Sequence, residues 1–330
     1  MKIVNKKMAL FFSLLLLVVL VACNKQTAGE KGETKELIFA LDQTQNDTWV
    51  RATQKFAEIV EDKTNGTVKV SVHHSGTLGS QREVLEGMLN ETMDGTVTLE
   101  PLSYWVEDVN IYGIPYLFRD QEHLDKFLQG DQGAELHQKF IEKGFRPLTY
   151  FKRPPRLITS NKPINSLADL AGLTIRVPET ATAPPAFKAL GAAPTAMAFS
   201  EVYNSLDQGV IDAQENPLPT IYANNLHEVQ DYIAYTNHQY QVGYFVISEE
   251  TYQSFTEEER QAVEEAALEM NEYEAKILEE DMESIINNLT EAGVTFTEPD
   301  VSEFAEAAKQ AYSGYDPLMQ EWIEKIQSIQ

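Results

Sequence analysis

Cysteine is almost absent from this chain: Cys23 is the only one among 330 residues. A single thiol closes no intramolecular disulfide and builds no multi-cysteine metal site. Positive charge is scarce too, with 26 lysines and arginines against 51 aspartates and glutamates and a formal charge of −25 at pH 7. That balance argues against nucleic acid and anionic lipid surfaces as partners. It also means that long-range steering repels an anionic ligand, so capturing one has to rest on local, buried cations. Long apolar stretches are limited to residues 8–22, too short for a comfortable bilayer span, and no second one follows. There is no Gly-x-Ser-x-Gly elbow, no His-Glu-x-x-His pair and no glycine-rich phosphate loop, which argues against an enzyme. His73 and His74 are adjacent, so on a strand they point to opposite faces and cannot readily share a metal. No metal and no cofactor are expected.

What is present begins at the amino terminus. Lys2, Lys6 and Lys7 precede the apolar run, which ends in Leu20-Val21-Ala22-Cys23. This resembles a bacterial lipoprotein signal, in which the leader is removed and the cysteine is lipidated. Residues 1–22 are therefore expected to be a signal peptide, Cys23 the lipidation site and residues 23–35 a polar tether. The expected location is extracytoplasmic, at the periplasmic face of the cell membrane, with membrane contact through the lipid anchor only.

The remaining length suits two lobes. Residues 36–41 read as a buried strand, followed by a helix capped by Asp47 with apolar positions Trp49, Ala52, Phe56, Ile59 and Val60. Val68, Val70 and Val72 alternate with polar residues as a half-buried strand does. Ser80 and Glu83 form a capping box for a second helix through Met93, and residues 96–99 read as a third strand. This βαβαβ order implies parallel strands, with a ligand site beyond their carboxyl ends. Asp42 and Glu100 follow the first and third strands and are placed there as acceptors for ligand hydroxyls or amines.

The second half repeats the theme, with a strand over 173–177, a helix over 180–190, a helix after Ser200 and a strand over 210–213 that Asn216 and Pro217 leave. Arg176 and Asn216 then lie at or beyond strand ends. Residues 256–292 read as one long helix, opened by a Thr256/Glu259 capping box and closed by Gly293, which would act as a strut across both lobes. The lobes are expected to be joined by strands, with no flexible linker.

Arg156 lies in "RPPRLITSNKPI" and Arg176 in "LTIRVPE". A guanidinium offers a carboxylate two parallel hydrogen bonds, which lysine cannot. Together with "APTAMAFSEVYNSL", "GVIDAQENPL" and "HEVQDYIAYTNH", these segments resemble the DctP-type solute-binding proteins of TRAP transporters, and the resemblance runs from Glu36 to the carboxyl terminus. It implies an α/β, two-lobe, periplasmic-binding-protein-like fold of type II, with lobe I over 36–153 plus about 242–281 and lobe II over 154–241 plus about 282–330. It implies that Arg176 makes the main salt bridge to a ligand carboxylate, that Arg156 supports it, that Asn216 hydrogen-bonds the same group and that Phe199 packs on the ligand. Asp42 and Glu100 would read the rest of the ligand from the other lobe. The sialic-acid-binding branch carries an arginine where this chain has Ser103 and an asparagine where it has Asp42, which points to a smaller acid. Acidic residues at the distal end suit hydroxyls, so a sugar acid such as a uronate or aldonate is the expected ligand. A C4-dicarboxylate is the alternative, as is a sensory role in a receptor system. The implied partners are the organic acid and the membrane permease subunits.

Overall fold

The structure, a computed structural model, describes residues 34–330. The expected signal peptide, Cys23 and nearly all of the tether lie outside the described residues. Lys35, expected in the tether, already opens the first strand.

The amino-terminal part alternates β1 (Lys35–Ala40), α1 (Thr48–Lys63), β2 (Val68–His73), α2 (Gln81–Leu89) and β3 (Gly95–Thr98). Two 3₁₀ segments lead to α3 (Gln121–Gln129), α4 (Asp131–Glu142) and β4 (Phe145–Lys152). The chain continues through β5 (Arg156–Ser160), β6 (Thr174–Val177), α5 (Ala183–Ala189), β7 (Ala193–Ala196), α6 (Val202–Asp207), β8 (Ala213–Pro217), α7 (Leu218–Ala223) and β9 (Tyr232–Ala234). It ends with β10 (Val242–Ser248), α8 (Glu249–Gln253), α9 (Glu257–Glu291), β11 (Thr295–Thr297), α10 (Val301–Tyr312) and α11 (Pro317–Gln327).

These strands form two sheets, ordered β2-β1-β3-β10-β4 and β11-β9-β5-β8-β6-β7. As the βαβαβ pattern implies, β1 pairs parallel with both β2 and β3. β10 returns antiparallel between β3 and β4. In the second sheet β6 is parallel to β7 and to β8, while β5 runs antiparallel to β8 and β9. The chain crosses between sheets at residues 153–155, at 235–241 and along α9, so the lobes are joined by two short segments outside the strands and by a helix.

Local signals account for most boundaries. The Asp47 side chain caps α1 by accepting from the Trp49 N–H at 3.0 Å. Both expected capping boxes form, Ser80/Glu83 on α2 and Thr256/Glu259 on α9. Pro184 and Pro185 occupy the first turn of α5, where a missing N–H is harmless. α9 buries Val263, Ala266 and Met270 in the core of the first sheet and Ile285 and Leu289 in a core of the second. Although long, it is too polar to cross a membrane, and no described helix is long and apolar enough to do so.

Four expectations need correction. α2 stops at Leu89, because Asn90 caps it and Glu91 turns left-handed at φ 59°, sending the chain back toward β3. Ser200 is no helix cap: residues 199–201 form a 3₁₀ turn and α6 starts at Val202 without a side-chain cap. The strand expected over 210–213 is instead Ala213–Pro217, since the N–H groups of Val210 and Ile211 turn back onto the Ser205 carbonyl. Finally, residues 282–330 do not stay with one lobe. Phe304 and Ala308 of α10 join a core of the second sheet, but Met319, Trp322 and Ile326 of α11 bury in the first-sheet core.

Candidate functional site

The carboxyl ends of β1, β3, β6 and β7 converge on a cleft between the two sheets. All six expected residues line it: Asp42, Glu100, Arg156, Arg176, Phe199 and Asn216. The lobes are also hydrogen-bonded to each other: Thr44 Oγ1 donates to the Ala223 carbonyl at 2.7 Å, and Thr182 Oγ1 donates to the Asn110 carbonyl at 2.6 Å.

Arg176 is 4% exposed. Its Nε and Nη2 donate to the Met197 carbonyl at 2.9 and 2.7 Å, which fixes the plane of the guanidinium. It makes no ion pair with any described residue. Burial pulls its pKa down to about 10, with Glu215 and Glu100 opposing that fall from a distance, so it stays charged at neutral pH. The Phe199 ring centre lies 5.9 Å from the guanidinium carbon, giving the cation one aromatic wall. A buried, pre-oriented cation without an anion is what a carboxylate receptor requires.

Arg156 differs from the expectation of a second free fork. It and Glu215 sit two positions apart across the β5–β8 ladder, on the same face of the sheet. Arg156 Nε pairs with Glu215 Oε2, and its Nη2 donates to Glu215 Oε1 and to the Glu215 carbonyl, both at 2.7 Å. Its Nη1 reaches Gln241 Oε1 at 3.2 Å and Glu100 Oε1 at 3.3 Å. Burial alone would raise the Glu215 pKa. The Arg156 charge and the hydrogen bonds from Arg156 and His238 outweigh it and hold the pKa at about 2. His238, pulled down by burial, lies 3.1 Å from Glu215. Arg156 is thus the internally neutralised floor of the cleft, and Arg176 is the free cation beside it.

Asn216 stands within β8, opposite Leu157, and its amide donates to Gln214 Oε1 at 2.7 Å. On the opposing lobe, burial pushes the Asp42 carboxyl up to about 6, partly offset by Gln81 Nε2, which donates to Asp42 Oδ1 at 3.0 Å. Glu100 Oε1 and Gln43 Oε1 are buried without any hydrogen-bond donor. Glu100 Oε1 is compensated in part by the Arg156 charge 3.3 Å away, whereas an uncompensated acceptor such as Gln43 Oε1 costs about 1–3 kcal/mol until a donor arrives. Both residues line the cleft.

Gln43, Gln81, Arg153 and Trp49 are among the lining residues that were not foreseen. Glu215, beneath them, was also missed. Tyr104 stays outside the cleft lining, under the Arg82 guanidinium at 4.1 Å, and Trp105 packs edge-on to Phe145 at 5.8 Å. No group of three or more metal-binding side chains forms among the described residues.

Residues 39–317 match the family described as bacterial extracellular solute-binding protein, family 7 (DctP). The chain belongs to the DctP family. It is 38% identical over 294 residues to a solute-binding protein of Roseobacter denitrificans, spanning 88% of this chain and 90% of the relative. It is 32% identical over 279 residues to the 2,3-diketo-L-gulonate-binding periplasmic protein YiaO of Escherichia coli, spanning 83% and 84%. Among solved structures, a TRAP periplasmic solute-binding protein from Roseobacter denitrificans with bound L-galactonate superimposes with a TM-score of 0.85 at 36% identity, over 90% of this chain and 99% of that one. This DctP-family chain is therefore a TRAP-type solute-binding protein, of a family that binds solutes and does not turn them over.

Proposed function

We propose that this protein captures a sugar acid, an aldonate or a uronate, and delivers it to a TRAP membrane permease. The observation that carries this reading is that one cleft holds Arg176, a pre-oriented cation with no ion-pair partner among the described residues, and Gln43 Oε1, a buried acceptor with no donor, beside the Glu100 carboxylate. In this reading the ligand carboxylate takes the Arg176 fork, with Asn216 beside it, and hydroxyl groups donate to Glu100, Gln43 and Asp42. Phe199 and Trp49 supply apolar faces. A C4-dicarboxylate without hydroxyl groups would bring no donors to Gln43 and Glu100. The L-galactonate and 2,3-diketo-L-gulonate named for relatives are polyhydroxylated acids of the kind the cleft asks for.

Closure follows from contacts that exist only when the lobes meet: Arg176 belongs to the second sheet, and Glu100 and Gln43 to the first. A thermal-shift screen of uronates, aldonates, dicarboxylates and neutral sugars tests the reading. A ligand at a hundred times its dissociation constant adds about 2.7 kcal/mol, a shift of several degrees. The expected hits are uronates or aldonates; stabilisation by dicarboxylates alone would overturn the ligand class.

The lipid anchor belongs to the same proposal and rests on the Leu20–Cys23 segment. Cys23→Ser is expected to release the protein from the membrane fraction, and persistent anchoring of that variant would contradict it.

A further inference from the structure

A second guanidinium stands in the same cleft without an anion. Arg153 lies in the crossover between β4 and β5, followed by Pro154 and Pro155, which hold the backbone extended and fix where the side chain is aimed. Its guanidinium stacks over the Trp49 ring at 4.3 Å and hydrogen-bonds Thr220 Oγ1. Trp49 itself can lie there because residue 243 is glycine, where a Cβ would come within 2.3 Å of the indole.

The acids that could neutralise Arg153 are engaged elsewhere. Asp47 caps α1. Glu274 accepts from Thr48 Oγ1 at 2.8 Å. Glu100 lies 3.3 Å from Arg156. Arg153 makes no ion pair among the described residues, and Thr220 is the one hydrogen-bond acceptor it has there. Burial, and then the Arg156 charge, draw its pKa down to about 10, while Glu100, Asp47 and Glu274 oppose the fall from a distance. The cleft therefore holds a neutralised arginine, Arg156, and two that make no ion pair among the described residues, Arg153 and Arg176.

We propose that Arg153 is a ligand-reading residue: it binds the oxygen acceptors at the end of the acid away from the carboxylate held by Arg176, and so selects for chain length. This rests on the sugar-acid reading above and extends it to the distal end of the ligand. The acceptor is a terminal hydroxyl or a second carboxylate of a long hydroxylated acid. In this proposal a short acid anchored at Arg176 leaves Arg153 unengaged. Arginine suits this task because its fork binds two neighbouring oxygens at once.

The test is titration calorimetry of glycerate, erythronate, galactonate and galactarate on the wild type, Arg153→Gln and Arg153→Lys. The wild type is expected to favour galactonate or galactarate over erythronate and glycerate. Arg153→Gln should weaken the long acids at least tenfold and leave the short ones within about twofold, so that length discrimination collapses. A gain for galactarate over galactonate in the wild type, lost in the variant, identifies the acceptor as a carboxylate; the converse identifies a hydroxyl. If Arg153→Gln does not fold, Arg153→Lys carries the test, with a smaller loss confined to the long acids. An equal loss for short and long acids, or no loss for either, overturns the proposal and reduces Arg153 to a clasp between Trp49 and Thr220. Failure of the wild type to bind any of the acids overturns the sugar-acid reading itself, and this inference with it.

Discussion

Arg176→Gln is expected to lose ligand binding by at least a hundredfold while the ligand-free protein melts no lower than the wild type. Removing one member of a desolvated, hydrogen-bonded charge pair typically costs about 2–5 kcal/mol of affinity, and each tenfold is about 1.4 kcal/mol. The second half of the expectation separates this site from an ordinary buried ion pair. Arg176 has no anion in the ligand-free protein, so its charge opposes folding until a carboxylate arrives. Glutamine keeps donors for the Met197 carbonyl and removes the charge. Calorimetry and thermal melting on the same preparation check both parts. Affinity within tenfold of the wild type would remove Arg176 from the binding role.

Glu215→Gln is expected to do the reverse, lowering stability first and binding only as a consequence. Arg156 is 2% exposed and Glu215 is fully buried, and the two share a bidentate contact. Neutralising the acid leaves a buried guanidinium whose nearest other anion is Glu100, a loss of about 3–5 kcal/mol. The melting temperature should fall by on the order of 10 °C. Replacing both partners together, Arg156→Met with Glu215→Leu, should recover part of that loss, because two apolar side chains leave no orphaned charge. The pair also sets an acid limit. The Glu215 pKa is depressed to about 2, so its contribution is complete above its unfolded value near 4.5 and disappears as pH falls toward 2. Denaturant melts across that window should show the wild type losing stability with a steeper slope than Glu215→Gln.

The sequence carried the frame of this protein further than its floor. An apolar run marked β1, helical spacing marked α1 and period-two alternation marked β2, and the rule for open α/β sheets placed Asp42 and Glu100 beyond the ends of β1 and β3. Arg176, Phe199 and Asn216 rested on resemblance, since an isolated arginine in an acidic chain is usually a surface partner. Glu215 was illegible for a physical reason. β8 reads Ala-Gln-Glu-Asn-Pro and is buried at every position, so it shows no apolar alternation and looks like a loop. Its polar side chains are satisfied by partners far away in sequence: Arg156, His238 and Thr159. Only tertiary structure reveals such partners. Arg153 was hidden similarly, since its Trp49 stack and its missing anion are facts of packing. The Pro-Pro step after it was the one local hint that its direction is fixed.

The most direct test of the account is a crystal structure of the protein with its tightest-binding acid. The account expects the ligand carboxylate on the Arg176 guanidinium, with hydroxyl groups within hydrogen-bond distance of Glu100 Oε1 and Gln43 Oε1, and the Arg156–Glu215 pair unchanged. A carboxylate seated on Arg156 with Glu215 displaced, or on the Asp42 side of the cleft, would contradict it.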